Sequence, residues 1–310
     1  MAVTFDDLIV RVKQNLLGYT RDQASISYLV QPMTATDVTF MADPETVTSL
    51  SRGLAEIGDE MLIIKKYDRP SGTVTVFGTA TTGRGIESTT ATTHSIGDLV
   101  TADPRFPRQR IKEAINDTIK GLYPDLWVFG EYEFPYIAAR LEYPLPAEVE
   151  DVYRVTNNTI GPSGMWPPQV SYRFNPQASV TAGQVKPTPA PTGKSIQILN
   201  WVVPGRNVRV MYTKKPNPLV NLTDDFETTT GFPDRYLDLI TYGACWRLLL
   251  SYDAGRLQQQ SIESTERAPL VPTGAAINIS KSYLQNYQIR LAEERDRLHR
   301  LFPEFQTFNA

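Results

Sequence analysis

One continuous stretch of this 310-residue chain, residues 83–127, constrains the fold more than any other. Its first part is rich in Gly and Thr, contains Arg84-Gly85 and the run from Thr92 to Asp98, and reads as extended chain. Its second part begins at Pro107, which suits the first position of a helix. The apolar residues of that helix recur with a period of 3.6 and are Ile111, Ala114, Ile115, Ile119 and Leu122. A β-type module therefore leads directly into a helix whose one apolar face must pack on another part of the chain.

Two further segments have helical patterns. At the N-terminus Thr4 can cap a helix together with Asp7, in the reciprocal arrangement of a capping box, and Gly18 ends it. The apolar stripe of this helix is Leu8, Val12 and Leu16. Pro233 opens another helix, which the pattern extends to about residue 252. Its stripe is Leu237, Ile240, Ala244 and Leu248.

The last helical segment covers residues 281–301 and has one apolar face at heptad spacing, which Glu294 interrupts. That face consists of Leu284, Tyr287, Leu291, Leu298 and Leu301. The stretch 255–279, which precedes this helix, has no clear period and is longer than most loops of compact domains. We expect it to form a loop at a contact between subunits.

Between the first two helices the hydrophobic period changes to two, which indicates short strands separated by Gly, Pro and Asp turns. The predicted strands are 26–30, 37–41, 60–64 and 73–77, with a hairpin turn at Pro70-Ser71-Gly72. These strands have no helix between them, so they predict a small barrel or sandwich. In a second β region the predicted strands are 131–134, 136–143, 149–155, 195–199 and 208–212.

These patterns predict an α+β fold with a four-helix core and two antiparallel β insertions, of which the one near the N-terminus is the small barrel or sandwich. The first half of the helical core is expected in residues 1–24 and 104–129, and the second half in 232–302. The β insertion then occupies 25–103 and the second β region 130–231. Residues 303–310 are left as a C-terminal docking tail.

Composition excludes several function classes. The formal net charge is −3, and no run of like charges exceeds a few residues, which argues against a strong electrostatic contact with nucleic acid or an anionic membrane. The single cysteine, Cys245, lies in an apolar helical pattern and cannot form an intrachain disulfide. There is no run of about 18 apolar residues that would span a membrane, so we expect a soluble globular protein without a membrane partner.

No catalytic or metal-binding pattern stands out. His94 and His299 are the only histidines and have no zinc-type spacing, so we expect neither a metal nor a cofactor. Residues Gly193-Lys194-Ser195 resemble the end of a phosphate loop, but Thr188 stands where its first glycine is required. Ser163 has the wrong neighbours for a nucleophile elbow. We therefore expect the chain not to be an enzyme.

Two sets of residues leave other interpretations open. Glu131 with Glu133, or Asp224 with Asp225, could form the paired carboxylates of a glycosidase, although such acids are common as solvated residues at strand edges and helix starts. A separate set of aromatic residues could line a glycan groove and suggests, as an alternative function, a tail-associated module that binds a receptor or glycan. This set is Trp166, Tyr172 and Trp201.

Three motifs carry a resemblance to a known family: the helix end Tyr123-Pro124-Asp125-Leu126-Trp127, the helix start at residues 232–244, and the stretch from Arg84-Gly85 to Gly97-Asp98. With the order of helices and β regions, the chain resembles the head-to-tail adaptor (connector) proteins of tailed bacteriophages. The resemblance implies a connector-like fold and a virion protein, assembled in the host cytoplasm and located at the junction of capsid and tail. It also implies a homo-oligomeric ring, commonly of twelve copies.

The resemblance also implies partners. The ring would dock below the portal protein, extend the DNA channel with non-specific contact to the passing DNA, and receive tail-completion or tail-tube proteins. Phe302, Phe305 and Phe308 lie at the C-terminus, where a lone subunit would leave them exposed unless another surface covers them. We expect these three residues to dock on the portal.

Overall fold

The computed structural model of the protein describes residues 2–17, 25–43, 50, 52–140, 142–158, 170–178, 190–262 and 275–303. Its helices are α1 (Phe5–Leu17), α2 (Ala80–Gly83), α3 (Arg108–Gly121), α4 (Phe226–Thr230), α5 (Leu237–Ile262) and α6 (Ala275–Leu301), with a short 3-10 helix (Asp234–Tyr236) before α5. Its strands are β1 (Ser25–Tyr28), β2 (Thr39–Met41), β3 (Gly53–Ile57), β4 (Glu60–Asp68), β5 (Thr73–Val76), β6 (Leu99–Ala102), β7 (Val128–Pro135), β8 (Glu142–Pro144), β9 (Asp151–Asn157), β10 (Tyr172–Asn175), β11 (Ser195–Ile198) and β12 (Asn207–Lys214).

The first six strands form one curled antiparallel sheet in the order β1-β6-β3-β4-β5-β2. Its two edge strands approach each other, because an isolated bridge joins Leu29 to Ala42 and the amide of Val30 donates to the carbonyl of Met41 at 2.9 Å. The sheet is therefore strongly curled, and we describe it as a half-barrel. Alternate residues of its strands enclose an apolar cluster that includes Ile57, Leu62, Val74, Val76 and Val100.

The second β region consists of two three-stranded antiparallel sheets, in the orders β10-β11-β8 and β7-β12-β9. One strand, β12, is central in its sheet and pairs with β7 over its whole length. The two sheets share one apolar cluster, which includes Phe134, Tyr143, Val155, Ile196 and Val210. Because both sheets contribute to the cluster, this region is a small layered β unit.

The four long helices share the third apolar cluster. In that cluster α5 contacts α1, α3 and α6. Helix α6 is antiparallel to α5, since Arg235 before α5 bonds Glu294 late in α6, while Ser280 early in α6 bonds the carbonyl of Trp246. At the start of α1 the predicted capping box is confirmed: Asp7 accepts the amide of Thr4 at 3.0 Å, and Thr4 accepts the amide of Asp7 at 3.2 Å.

The predicted fold class, a four-helix core with two β insertions, is wrong. The described residues contain six α-helices and twelve strands, and the fold is mixed and rich in β structure, with a half-barrel in place of the predicted small barrel or sandwich. The physical reason is that strands build two of the three apolar clusters. The helices are therefore one part of a mixed fold, and the sheets have cores of their own.

Single elements also differ from the sequence pattern. Strands β3, β6 and β10 were not predicted, because they are only four or five residues long and contain Gly, Ala, Glu or Asn, which have low strand propensity. The loop expected at residues 255–279 is wrong in part: α5 continues to Ile262 and α6 already begins at Ala275, and residues 263–274 lie outside the described part. A segment without an apolar period can still be helical when its residues have good helix propensity.

Candidate functional site

The segment from Arg84 to Asp98, singled out by the sequence, is joined to the half-barrel near both of its ends. One isolated bridge links Arg84 to Leu62 of β4, and another links His94 to Met33. In the second bridge the two residues exchange backbone hydrogen bonds of 2.8 and 2.9 Å. Arg84 and His94 are buried there beside Glu60 of β4. We call Glu60, Arg84 and His94 the buried ion cluster.

Arg84 is 2% exposed and is surrounded by acceptors. Its Nε and Nη2 donate to the two carboxylate oxygens of Glu60, at 2.7 Å each, which is the strong bidentate geometry. Nη2 also donates to the carbonyl of Thr92 at 2.7 Å. Nη1 donates to the carbonyls of Asp37, at 3.1 Å, and Thr34. One guanidinium group thus ties together strand β4, the loop before β2 and the segment that contains His94.

Glu60 is equally well bonded. Its Oε2 lies 2.8 Å from Nε2 of His94 and accepts the amide of Thr92 at 3.0 Å. The other ring nitrogen of His94 lies 3.7 Å from the carboxylate of Asp98. Burial raises the pKa of Glu60, but the hydrogen bonds from His94, Arg84 and Thr92 outweigh burial and lower the pKa from 4.5 to about 2. Glu60 is therefore ionised at neutral pH and paired with Arg84, and the cluster is a structural element.

The lowered pKa of Glu60 predicts a pH dependence of stability. The ionised carboxylate stabilises the fold fully above pH 4.5, and this contribution is lost as the pH falls through about 2. We expect the wild type to have a higher free energy of unfolding in urea than Glu60→Gln at pH 7. The difference should shrink steadily below pH 4.5. A difference that stays constant down to pH 2 would contradict an ionised, paired Glu60.

Glu56 joins the half-barrel to the helices. It is 4% exposed, and burial raises its pKa. Its Oε2 accepts the amide of Arg108 at 3.3 Å and so caps α3, which has no side-chain cap of its own. The guanidinium of Arg108 bonds Asp59 at 2.9 Å and also pairs with Asp6 of α1. Helix α3 is thereby fastened at its first turn to both the sheet and α1.

Two glycines of the segment are required by its conformation. Gly85 has φ +59°, and a Cβ atom there would lie 2.6 Å from the amide nitrogen of Ala91. Gly97 has φ +87°, and its amide donates to the carbonyl of Leu29 at 2.8 Å. Left-handed backbone of this kind favours glycine. The Arg-Gly to Gly-Asp stretch is therefore a motif that folds the segment onto the half-barrel.

The predicted helical-core residues come together in the third apolar cluster, which the four long helices share. Those that are buried are Leu8, Val12, Ile111, Ile115, Ile119, Leu122, Leu237, Ile240, Ala244, Leu248, Tyr287 and Leu298. Those that are partly buried against it are Leu16, Leu284 and Leu291. Glu294, which interrupts the apolar stripe, is buried and bonds Arg235 at 2.8 Å. A lone acid on an apolar helix face is a signal that a cation lies opposite, but the pattern does not show which one.

Phe302 packs on its own chain. Its ring centroid lies 4.5 Å from that of Phe129 in β7 and 6.1 Å from that of Tyr153 in β9. The hydroxyl of Tyr153 also donates to the carbonyl of Pro303 at 3.3 Å. Phe302 is therefore half-buried by β7 and β9, where the sequence pattern predicts exposure in a lone subunit. Phe305 and Phe308 lie outside the described residues, and the docking role of all three stays a prediction.

The acids considered for catalysis have structural contacts. Glu133 and Glu131 lie 2.7 and 3.8 Å from Nε of Arg209, as cross-strand neighbours. Asp225 accepts the amide of Thr228 and caps α4. Asp224 accepts the amides of the two loop residues Val220 and Asn221, at 2.8 Å each. These contacts are those of ordinary surface ion pairs and of helix and loop caps.

The remaining sequence candidates are dispersed. Lys194 donates to the carbonyl of Ala147 at 2.9 Å, so it serves a β loop. The hydroxyl of Tyr172 donates to the carbonyl of Val152 at 2.6 Å, while Trp201 is 76% exposed. His299 is exposed in the last turn of α6, with its ring 5.3 Å from that of Trp127. Ser163 and Trp166 lie outside the described residues.

The described residues offer no metal site and no membrane-spanning helix. Among them, no group of three or more His, Cys, Asp or Glu side chains could hold a metal ion. None of the helices found there is both long and apolar enough to cross a bilayer. Cys245 is a free, buried thiol, and burial raises its pKa to about 12.

Three apolar clusters, a buried ion pair within the half-barrel and a motif that serves folding define a structural module of mixed α and β class. The chain belongs to the SU10 adaptor protein family, whose sequence model matches residues 89–269, more than half of the chain. It is thus a bacteriophage adaptor, a virion component that interacts with other head or tail proteins of the phage. The resemblance to phage adaptors is confirmed at this level. Among curated proteins, none matches the chain.

Proposed function

We propose that this chain is a head-to-tail adaptor, of which about twelve copies form a closed ring below the portal, extend the DNA channel and join the capsid to the tail. The match to the adaptor family over residues 89–269 carries the proposal. Its direct partners are the portal protein on one side and tail-completion or tail-tube proteins on the other. It acts without catalysis, which agrees with the structural contacts of the acids considered above.

The charge balance supports passage of DNA through such a ring. Each phosphate that a fixed cation neutralises releases counterions and strengthens binding, so a strongly basic lumen would hold the DNA. The formal net charge of the chain is −3, and several of its cations are paired with acids, as Arg11 is with Asp238 and Arg108 with Asp59. Contact with passing DNA is expected to be non-specific and weak.

The ring is tested with purified full-length chain, alone and with portal added, by mass photometry and negative-stain imaging. We expect closed rings on the portal, with a mass that fits about twelve copies. A chain that forms no ring under either condition would overturn the proposal.

The C-terminal tail gives a second test. We expect removal of residues 304–310, which spares Phe302, to leave the thermal unfolding temperature unchanged and to abolish docking on the portal. Phe302→Ala should instead lower the free energy of unfolding by about 1–2 kcal/mol, because Phe302 packs on Phe129 and Tyr153. Unchanged attachment of the truncated chain to capsids would remove the portal assignment of the tail.

A further inference from the structure

The outer face of the half-barrel, opposite its apolar interior, carries an exposed apolar surface near β1 and β6. Tyr28 and Leu99 are direct cross-strand partners, and Ile26 lies two residues from Tyr28 on the same face. Ile96 is close by, since the next residue donates to the carbonyl of Leu29. These residues and Val30 are between 42% and 66% exposed. We call them the Tyr28 patch.

The same sheet carries a second exposed apolar surface. Leu54 of β3 is the cross-strand partner of Ile63 of β4, and the amide of Phe77 donates to the carbonyl of Ile63 at 2.8 Å. Leu54 is 40% and Phe77 is 44% exposed, while Ile63 between them is half-buried. We call these three residues the Phe77 patch.

Buried residues separate the two patches. Between them on the outer face lies the cross-strand row of Thr101, Glu56 and Met61, all less than 9% exposed. Glu56 in this row bonds the start of α3. The patches are therefore two distinct surfaces of one sheet and not parts of one continuous surface.

The charges at the borders of the two patches are opposite. Asp98, next to Leu99, has a side chain that is 43% exposed, and it accepts the amide of Ser95 at 2.9 Å. Lys65 and Lys66, which follow Ile63 along β4, are exposed and form no ion pair with any described residue. An acidic border on one apolar surface and a basic border on the other are complementary, and such complementarity sets the orientation of a contact.

We infer that the Tyr28 patch of one copy binds the Phe77 patch of the next copy, so that a second copy of this chain is the occupant of both surfaces. A contact between two different surfaces of identical chains is heterologous, and repetition of such a contact closes into a ring when the rotation allows it. The inference rests on the proposed ring and adds the surfaces that form it. The exposed aromatic and aliphatic side chains of the two patches would be buried in the contact. Attraction between the lysines and Asp98 would set the orientation of one copy against the next.

Crosslinking in assembled particles tests the contact. Particles that carry the double variant Leu99→Cys with Phe77→Cys are treated with a flexible bis-maleimide, and the products are separated under denaturing conditions. The native Cys245 is buried, so we expect no product from the wild type. We expect a ladder of oligomers from the double variant and no ladder from either single variant. The matched control, Leu199→Cys with Val220→Cys, has two exposed aliphatic positions outside both patches and should give no ladder.

The outcomes separate this inference from the proposed function. Dimers from Leu99→Cys alone would show a contact between like surfaces and would overturn the inference. Absence of a ladder in particles that hold the chain at the junction of head and tail would also overturn it, while the adaptor role stands. Absence of the chain from that junction would overturn both.

Mixing of purified variants tests the same contact without a crosslinking reagent. Leu99→Glu disrupts the Tyr28 patch and Phe77→Glu disrupts the Phe77 patch, so neither variant should form rings on the portal. Both should unfold at the wild-type temperature, because both side chains are exposed. An equimolar mixture should form dimers of one Leu99→Glu copy and one Phe77→Glu copy. Each dimer uses the intact Phe77 patch of the first copy and the intact Tyr28 patch of the second, so no intact patch remains to bind a third copy. The control Leu199→Glu should form rings like the wild type. Rings from Leu99→Glu or Phe77→Glu alone would overturn the inference.

Discussion

Replacement of Arg84 by methionine should lower the free energy of unfolding by about 3–5 kcal/mol. The change removes the guanidinium group that bonds both carboxylate oxygens of Glu60. The carboxylate of Glu60, which is 1% exposed, then lacks its cationic partner. It also leaves the carbonyls of Thr92 and Asp37 without the donor that Arg84 supplies. Because the carboxylate of Glu60 is buried, the loss of its two hydrogen bonds from Arg84 leaves part of its desolvation uncompensated. Chemical unfolding in urea, monitored by circular dichroism, measures the loss.

The matched control is Arg110→Met. Arg110 also pairs with two acids, Glu87 at 2.8 Å and Glu113 at 3.2 Å, but its side chain is 57% exposed. Exposed ion pairs contribute roughly 0–1 kcal/mol, so this variant should remain close to the wild type. Equal losses for the two arginine variants would show that burial of the ion cluster does not matter for stability.

A double-mutant cycle isolates the pair itself. Glu60→Met alone should also be strongly destabilising, because Arg84 then remains as an uncompensated buried cation. The double variant Glu60→Met with Arg84→Met should lose less than the sum of the two single losses, by about 1–3 kcal/mol. Strict additivity would contradict direct coupling between the two side chains.

Gly243→Ala should lower the free energy of unfolding by about 1–2 kcal/mol, although alanine is the better helix former. Gly243 lies in α5, beside Thr118 of α3 and Tyr287 of α6. A Cβ atom there would meet Cγ2 of Thr118 at 2.5 Å and the ring of Tyr287 at 3.0 Å. The neighbours are buried, so overpacking strains the contact between three helices. The unfolding temperature and the urea midpoint measure the effect.

Gly121→Ala is the control for helix propensity. Gly121 ends α3, and a Cβ atom there would meet only the guanidinium of Arg247 at 3.2 Å, the end of a flexible side chain. This variant should be unchanged or more stable by up to about 1 kcal/mol. Thr118→Ser removes the clashing methyl group but keeps the hydroxyl that bonds Ala114, and should restore part of the loss of Gly243→Ala. If Thr118→Ser restored none of the lost stability, the strain in Gly243→Ala would not arise from the contact with Thr118.

Much of the local structure follows from short-range patterns. The 3.6 period over residues 111–122 predicts α3, the pair Thr4 and Asp7 predicts the start of α1, and Pro70-Ser71-Gly72 predicts the turn between β4 and β5. These features depend on residues within four positions of one another, so the sequence displays them directly. Short strands without alternation, such as β3 and β6, have no such local signal and form because neighbouring strands hold them.

The candidate site divides in the same way. The stretch from Arg84-Gly85 to Gly97-Asp98 is visible as a motif, and its glycines imply special backbone conformations. The role of Arg84 in this motif is not visible in the sequence, because its partner Glu60 lies 24 residues earlier, at the start of strand β4. The same holds for Glu294, whose partner Arg235 is 59 residues away. The residues next to an acid in the sequence do not indicate which distant cation will be buried with it.

The sequence by itself determined which segments are helices with one apolar face, where several turns lie, and the resemblance to phage adaptors. Only the tertiary structure decided the balance of the fold, with sheets that have their own cores, and the roles of Arg84, Glu294 and Phe302. The reason is physical: periodicity shows that a face must be buried, but the surface that buries it is chosen by packing and by pairing of charges among residues distant in the chain. Phe302 reads as an exposed tail residue until β7 and β9 are placed beneath it.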